Sequence, residues 1–316
     1  MQHTLALRDA RSLSYTWFGT AASRGGTNRA PSASVGNRTS GSPTIVYLHG
    51  FTSSRLEAEL VHADALYHGQ AVLAVDRPGY GCSSPHPDQT VESTAADVRE
   101  LLDALELQQV AMMGVSGGSP FACACAALMP ERVVALLLLS PLMPTLGREE
   151  QLLAGAGNAS LRMCHGIQHR PWQVWATLHM LRLIQKVPHG NLLLKAGGFA
   201  EVDRRAVDEM PQEAAKLKAA VREGLAQGVS GAMRDLHVFH VAPPSVDLAA
   251  IRCKTHVWQG RQDTTTPPAM AQHYAATIPG AQLHMKDEGH LSLGFKHNRE
   301  ILGSIADEAS QARGLM

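Results

Sequence analysis

The spacing of apolar residues along this chain follows two patterns, one typical of strands and one typical of helices. Segments with the two patterns follow each other in turn. Short, nearly continuous apolar runs are typical of strands that are buried on both faces of a sheet. They occur at residues 44–48, 70–75, 110–115, 133–139, 255–259 and 281–286, and an alternating run at 12–18 predicts an opening hairpin with residues 4–7. Helical periods separate most of these runs, for example over 91–105. The pattern predicts an α/β fold: a doubly wound, mostly parallel sheet with helices on both faces.

Two segments interrupt this rhythm. Residues 19–42 are rich in Ser, Gly, Arg, Asn and Thr and keep no hydrophobic period, which predicts a flexible surface loop. Residues 141–244 contain helical stretches, including 172–186 and 204–227, without a convincing strand. We therefore expect a core domain formed by residues 1–140 and 245–316, with a helical cap inserted over the carboxyl ends of the strands.

Composition excludes several classes of function. The 28 Lys and Arg residues balance the 28 Asp and Glu residues, so charge favours neither nucleic acid nor an anionic membrane surface as a partner. The chain has no apolar stretch of membrane-spanning length and no secretory signal pattern at its start. Five cysteines without a C-x-x-C pair favour a reducing, cytoplasmic compartment. The sequence leaves a homo-oligomer open.

The pentapeptide Gly114-Val-Ser-Gly-Gly118 carries the strongest chemical signal. It follows the strand-like run that ends at Val115 and precedes a small-residue helix, which is the strand-turn-helix context of a nucleophile elbow. The flanking glycines leave room for a sharp turn, with Ser116 at its apex in a strained conformation. The alternative is a glycine-rich turn whose serine only caps the helix.

A serine hydroxyl needs a base and an acid that orients the base. In the chain order Ser, acid, His, the base follows the last strand, and His290 has this position directly after Gly289. The acid follows the preceding strand, where Asp263 lies; the alternative for Asp263 is a turn or helix-cap aspartate. Asp235, near the return from the insertion, is the competing acid.

An oxyanion hole needs two backbone N–H groups directed at one point. We expect them from Gly117, directly after the nucleophile, and from Phe51, in the loop after the first parallel strand. In the predicted cap, Trp172 and Trp175 are candidates for substrate binding, although they could equally pack the inserted helices onto the core.

Five motifs follow one another in a consistent order: His49-Gly50, the run Asp76-Arg-Pro-Gly-Tyr-Gly-Cys-Ser83, the Ser116 pentapeptide, the Asp263 loop and Gly289-His290. Together they resemble the α/β-hydrolase fold superfamily, over roughly residues 5–140 and from 250 to the end. The middle is similar to the variable helical cap of that superfamily. The resemblance implies a Ser-His-Asp hydrolase but is weak for substrate. Members include carboxylesterases, lipases, C–C bond hydrolases, proline iminopeptidases and cofactor-free haloperoxidases; enzymes with an aspartate nucleophile do not match Ser116.

The sequence therefore favours a serine hydrolase that forms an acyl-enzyme and cleaves carboxylic esters of small to medium hydrophobic substrates, with water as the second reactant. One alternative is C–C bond or amide cleavage, as in proline iminopeptidases; another is a low-turnover ligand-binding protein. A dinucleotide enzyme is excluded because no G-x-G-x-x-G follows an early strand. No metal-ligand spacing is present, and we expect neither a metal nor a cofactor.

Overall fold

The computed structural model describes residues 1–21, 42–186, 198–242 and 246–314, with 306–314 described by their backbone. The loop predicted over residues 19–42 therefore lies almost entirely outside the described residues, as does the predicted domain boundary at 244/245.

Eight strands form one sheet, in the order β1-β2-β4-β3-β5-β6-β7-β8. They are β1 Gln2–Ala6, β2 Ser12–Gly19, β3 Thr44–Leu48, β4 Ala71–Val75, β5 Val110–Val115, β6 Val133–Leu139, β7 Lys254–Gly260 and β8 Gln282–Lys286. The opening hairpin joins the sheet antiparallel to β4, and every other pairing is parallel. The mostly parallel sheet is thereby confirmed.

Helices cover both faces of the sheet. The α-helices are α1 His62–Tyr67, α2 Val91–Ala104, α3 Ser119–Leu128, α4 Glu149–Leu152, α5 Asn158–His169, α6 Pro171–Ile184, α7 Glu201–Glu209, α8 Pro211–Gly224, α9 Ser230–His240, α10 Pro268–Thr277 and α11 His290–Gly314. Short 3-10 turns lie at Arg55–Leu60, Ser116–Gly118 and Leu248–Ala250.

Alternate residues of each strand enter two different apolar cores. In β3, Val46 and Leu48 pack with α2, α3 and α10, whereas Ile45 and Tyr47 pack with α1 and α11. All four strand residues are nearly or completely buried. The continuous apolar runs in the sequence are explained by burial on both faces of the sheet.

The chain leaves the sheet after β6 and returns at β7. The described residues between 141 and 242 contain the helices α4 to α9 and no strand. One predicted helix, 204–227, is wrong as a single element: it is divided into α7 and α8 at Pro211. The residue before a proline is displaced from helical geometry, and Met210 has φ −125° and ψ 65°. The assignment of 141–244 as a separate cap stays a prediction.

Candidate active site

The loops that follow β3, β5, β7 and β8 lie at the carboxyl edge of the parallel sheet, where open α/β sheets bind ligands. They carry, in turn, Phe51, Ser116, Asp263 and His290. A cavity of about 320 Å³ opens at this edge and is lined by Phe51, Ser116 and His290.

Ser116 lies at the apex of a sharp turn between β5 and α3. Its φ is +50°, in the left-handed region that non-glycine residues adopt only at a cost. The turn needs glycine at position 118, because a β-carbon there would overlap the carbonyl oxygen of Leu48. The backbone N–H of Leu142, just beyond β6, donates to the Ser116 carbonyl at 3.1 Å. The elbow is thus held from the neighbouring strand, and Ser116 remains 8% exposed.

His290 is the first residue of α11 and faces Asp263. Its Nδ1 lies 2.8 Å from Asp263 Oδ2, and the two side chains are 10% and 0% exposed. With Nδ1–H donating to the carboxylate, Nε2 keeps a lone pair and can accept a proton.

The loop around Asp263 fixes its carboxylate. Oδ1 accepts the backbone N–H groups of Thr265 and Thr266 at 2.8 and 2.9 Å. Oδ2 also accepts the Gln259 amide at 3.1 Å and the Thr266 hydroxyl at 2.9 Å. Asp263 combines the orienting contact to His290 with the turn-capping contacts that were its alternative interpretation.

Burial and charge act in opposite directions on His290. Burial lowers the pKa of the imidazole, but the charge of Asp263 and the hydrogen bond that Asp263 accepts from the ring raise the pKa. The charges of Asp203 and Glu57 raise the pKa further, and the net pKa lies above its ordinary value of 6.5. The neutral form, which can accept a proton, therefore predominates only on the alkaline side of that raised pKa.

The two predicted N–H donors lie next to each other. A β-carbon placed on Gly117 would be 3.2 Å from the backbone nitrogen of Phe51. The Ser116 β-carbon is also close to this loop, 3.5 Å from where a β-carbon of Gly50 would be. The structure thus brings Phe51, Gly117 and Ser116 together around one end of the cavity.

The structure places Asp235 away from His290. Its carboxylate lies 2.6 Å from Arg77 and accepts the Tyr80 hydroxyl at 2.8 Å. Within the described residues, the His290 ring contacts Asp263 and not Asp235.

Trp172 and Trp175 do not reach the cavity at Ser116. Helix α6 presents Thr177, Leu178 and Leu181 to that cavity. The two tryptophans lie on another face of α6, with 68% and 52% of their surface exposed, and Trp175 lines a separate surface cavity. The substrate-binding prediction for this pair therefore finds no support, although Met163, on α5, does line the Ser116 cavity.

Two carboxylates near the site were not predicted. Asp203, on α7, accepts the backbone N–H of His290 at 3.0 Å. Glu57 lines the cavity, is 4% exposed and accepts the Gly50 N–H at 2.8 Å. Burial raises the pKa of Glu57. No local pattern indicates Asp203, because its partners are 87 or more positions away. Glu57 had one local signal, since it is a charged residue inside a short helical run after the His49-Gly50 motif.

Comparison with known proteins agrees with the fold. The family described as the alpha/beta hydrolase fold matches residues 43–161, which include β3, the Ser116 elbow and β6. The chain belongs to the α/β-hydrolase fold superfamily. A bromoperoxidase from Bacillus anthracis has the same fold, with a TM-score of 0.68 and 18% identity over 97% of this chain and all of that one.

Two curated relatives of this α/β-hydrolase share more sequence. One is the dihydrolipoyllysine-residue acetyltransferase component of the acetoin cleaving system of Cupriavidus necator, 32% identical over 82% of the chain. The match spans 61% of that relative's length. The other is 2-hydroxy-6-oxo-2,4-heptadienoate hydrolase of Pseudomonas putida, 28% identical over 75% of the chain and 77% of the relative.

The described residues contain no helix that is long and apolar enough to cross a membrane. Nor do they contain a cluster of three or more His, Cys, Asp or Glu side chains that could hold a metal ion. Cytoplasmic location and self-association stay predictions.

Proposed function

We propose that this α/β-hydrolase is a serine hydrolase with Ser116 as nucleophile, His290 as general base and Asp263 as the acid that orients it. The observation that carries the proposal is the 2.8 Å contact between His290 Nδ1 and Asp263 Oδ2, in a cavity that Ser116 also lines. The strained elbow at Ser116 supports the role of the hydroxyl, since backbone strain of this kind is concentrated at functional sites.

In the proposed reaction, His290 removes the proton of the Ser116 hydroxyl while the Ser116 oxygen attacks the substrate carbonyl. The N–H groups of Phe51 and Gly117 stabilise the oxyanion that forms. His290 then protonates the leaving group, which departs and leaves an acyl-enzyme on Ser116. A water molecule, deprotonated by the same histidine, attacks the acyl group and releases the acid.

The lining of the cavity indicates the class of substrate. Half of its lining residues are apolar, including Leu60, Leu139, Leu178, Val221 and Phe295, and polar residues such as Thr177 and Asn298 lie among them. We propose that α5 to α8 form a cap over the site, because α5, α6 and α8 contribute to this lining, as does Phe199 just before α7. A volume of about 320 Å³ suits a carboxylic ester of small to medium size with a hydrophobic acyl or alcohol group.

C–C bond cleavage is the second candidate, and similarity to the Pseudomonas putida hydrolase favours it. It would use the same three side chains on a different bond. A pure ligand-binding role is disfavoured because a binder has no need for a histidine that a buried carboxylate orients in the cavity that Ser116 also lines.

A panel of short-chain aryl esters, an amino-acyl anilide and a vinylogous 1,5-diketone tests the proposal. We expect hydrolysis of the esters, and loss of nearly all turnover in Ser116→Ala with the fold preserved by circular dichroism. Ser119→Ala is a matched control, since Ser119 lies three residues after Ser116, at the start of α3, and donates to the Gly114 carbonyl. Ester turnover that survives in Ser116→Ala would contradict the covalent mechanism, and turnover of the diketone alone would favour C–C cleavage.

A further inference from the structure

Asp235 and Arg77 form an ion pair in the interior of the protein. Their side chains are both 0% exposed, and Arg77 Nη2 lies 2.6 Å from Asp235 Oδ2. The Tyr80 hydroxyl donates to the same oxygen at 2.8 Å, and the Arg77 guanidinium lies over the rings of Tyr80 and Phe121 at 5.1 and 4.9 Å. A buried pair of this kind contributes little net stability compared with apolar residues of the same size. Its contacts therefore need another explanation.

The Arg77 guanidinium also contacts the loop after β3. Nη1 donates to the carbonyl of His49, and Nη2 donates to the carbonyl of Gly50 at 3.4 Å. Asp235 belongs to α9, in the segment inserted between β6 and β7, so the pair joins that segment to the loop that carries Phe51.

His49 strengthens the hold on the Gly50 carbonyl. The Arg77 backbone N–H donates to His49 Nε2 at 3.2 Å, which leaves Nδ1 to donate to the Gly50 oxygen at 2.8 Å. Burial and the charge of Arg77 lower the pKa of His49 well below its usual value, so the ring is neutral, as this pattern requires. On the other side of the residue, Glu57 accepts the Gly50 N–H at 2.8 Å.

These contacts set the direction of the Phe51 N–H. In a trans peptide, the carbonyl of one residue and the N–H of the next point in opposite directions. Fixing the Gly50 oxygen toward Arg77 therefore turns the Phe51 N–H the other way, to the side where Gly117 lies. Within the part of the chain that the structure describes, this N–H donates no hydrogen bond.

We propose that Asp235 and Arg77 are positioning residues for the oxyanion hole: Asp235 orients Arg77, and Arg77 holds the Gly50 carbonyl so that the Phe51 N–H points at the reacting carbonyl. The inference rests on the proposed function. It gives Asp235 a role in the reaction other than that of triad acid. It also makes the oxyanion hole dependent on α9 of the inserted segment.

A comparison of two substrates separates this role from a merely structural one. In 4-nitrophenyl acetate the developing charge is on oxygen, whereas in O-(4-nitrophenyl) thionoacetate it is on sulfur, which is larger and a weaker acceptor of hydrogen bonds. An aligned oxyanion hole therefore favours the oxygen ester. The ratio of the two kcat/KM values, measured on one preparation, does not depend on the fraction of the protein that is folded.

We expect Asp235→Asn and Arg77→Lys to lower kcat for the oxygen ester by about tenfold to a hundredfold, less than the loss of a whole oxyanion donor. KM should stay within about twofold, and the thionoester should be affected several times less, so that the ratio falls. Asp97→Asn is the matched control. Asp97 is 5% exposed and pairs with Arg11 at 2.6 Å, away from the cavity, so this variant should lose stability but keep the ratio.

Equal losses on both substrates in Asp235→Asn and Arg77→Lys would overturn the inference while leaving the proposed function in place. A wild-type protein that hydrolyses neither ester would overturn the proposed function, and the inference with it.

The pH dependence gives a second measurement. The acid limb of kcat/KM should stay in place in Asp235→Asn, because Asp235 does not contact His290; a shift of that limb would contradict the role.

Discussion

Asp203 and His290 are joined by a hydrogen bond of 3.0 Å from the His290 backbone N–H to Asp203 Oδ2. Asp203 Oδ1 also accepts the N–H groups of Leu291 and Ser292, both at 2.9 Å. The carboxylate thus caps the start of α11 from α7, which is far away in the sequence. The helix that carries the proposed base is therefore held in place by a side chain of the inserted segment.

Removal of this cap should destabilise the protein. Asp203→Ala leaves three partly or fully buried N–H groups unpaired, which should cost about 3 kcal/mol in the free energy of unfolding. Urea denaturation measures it. Glu209→Ala is the control on the same helix, because Glu209 is exposed and should be replaceable at little cost. A loss in Asp203→Ala no larger than in Glu209→Ala would show that the cap is unimportant.

The pH dependence of turnover should follow His290. The imidazole must be neutral to accept a proton, and its pKa is raised, so kcat/KM should fall as the pH drops through a value above 6.5. The charge of Asp203 contributes to this increase, so Asp203→Asn should lower the pKa and move the acid limb to lower pH. Glu209→Gln should leave the limb in place. A limb that moves to higher pH in Asp203→Asn would contradict the assignment.

The two aspartates that competed as triad acid should give different kinetics. Asp263→Asn removes the acceptor for His290 Nδ1 and should lower kcat by about 10³ to 10⁴, as expected when the imidazole loses its correct tautomer. Asp235→Asn should cost far less. Steady-state kinetics of the two variants decides the assignment; a larger loss in Asp235→Asn would reverse it.

Gly289 should not tolerate a side chain. A β-carbon at this position would overlap both carboxylate oxygens of Asp203, which are held by three N–H groups. Gly289→Ala should therefore lower both the melting temperature and kcat, at a cost of about 1–3 kcal/mol in stability. Gly303→Ala is the control within α11, where the new carbon would be 3.4 Å from His68. That variant should be neutral or more stable by up to about 1 kcal/mol.

The fold was predictable because its signals are local. Continuous apolar runs such as Val133–Leu139 are typical of strands covered on both faces, and Gly118, together with the strand before it, indicates the elbow at Ser116. Asp263 and His290 could also be predicted from the sequence, since each follows a strand of a parallel sheet and such loops meet at one edge.

The residues that the sequence did not indicate act at long range. Asp203 and His290 are 87 positions apart, and the sequence between them has no pattern that predicts their contact. The direction of the Trp172 and Trp175 side chains depends on which face of α6 packs against the core, and this helix has apolar residues on both faces. The packing of the inserted helices, rather than any local preference, decides these placements.

The most direct test of the central claim is the site of covalent modification. The protein is treated with a fluorophosphonate, digested, and analysed by mass spectrometry while esterase activity is followed. We expect one phosphonyl group per chain, on Ser116, with activity lost in proportion, and no adduct in Ser116→Ala. Modification of a different residue, or full ester hydrolysis with Ser116 unmodified, would contradict the account.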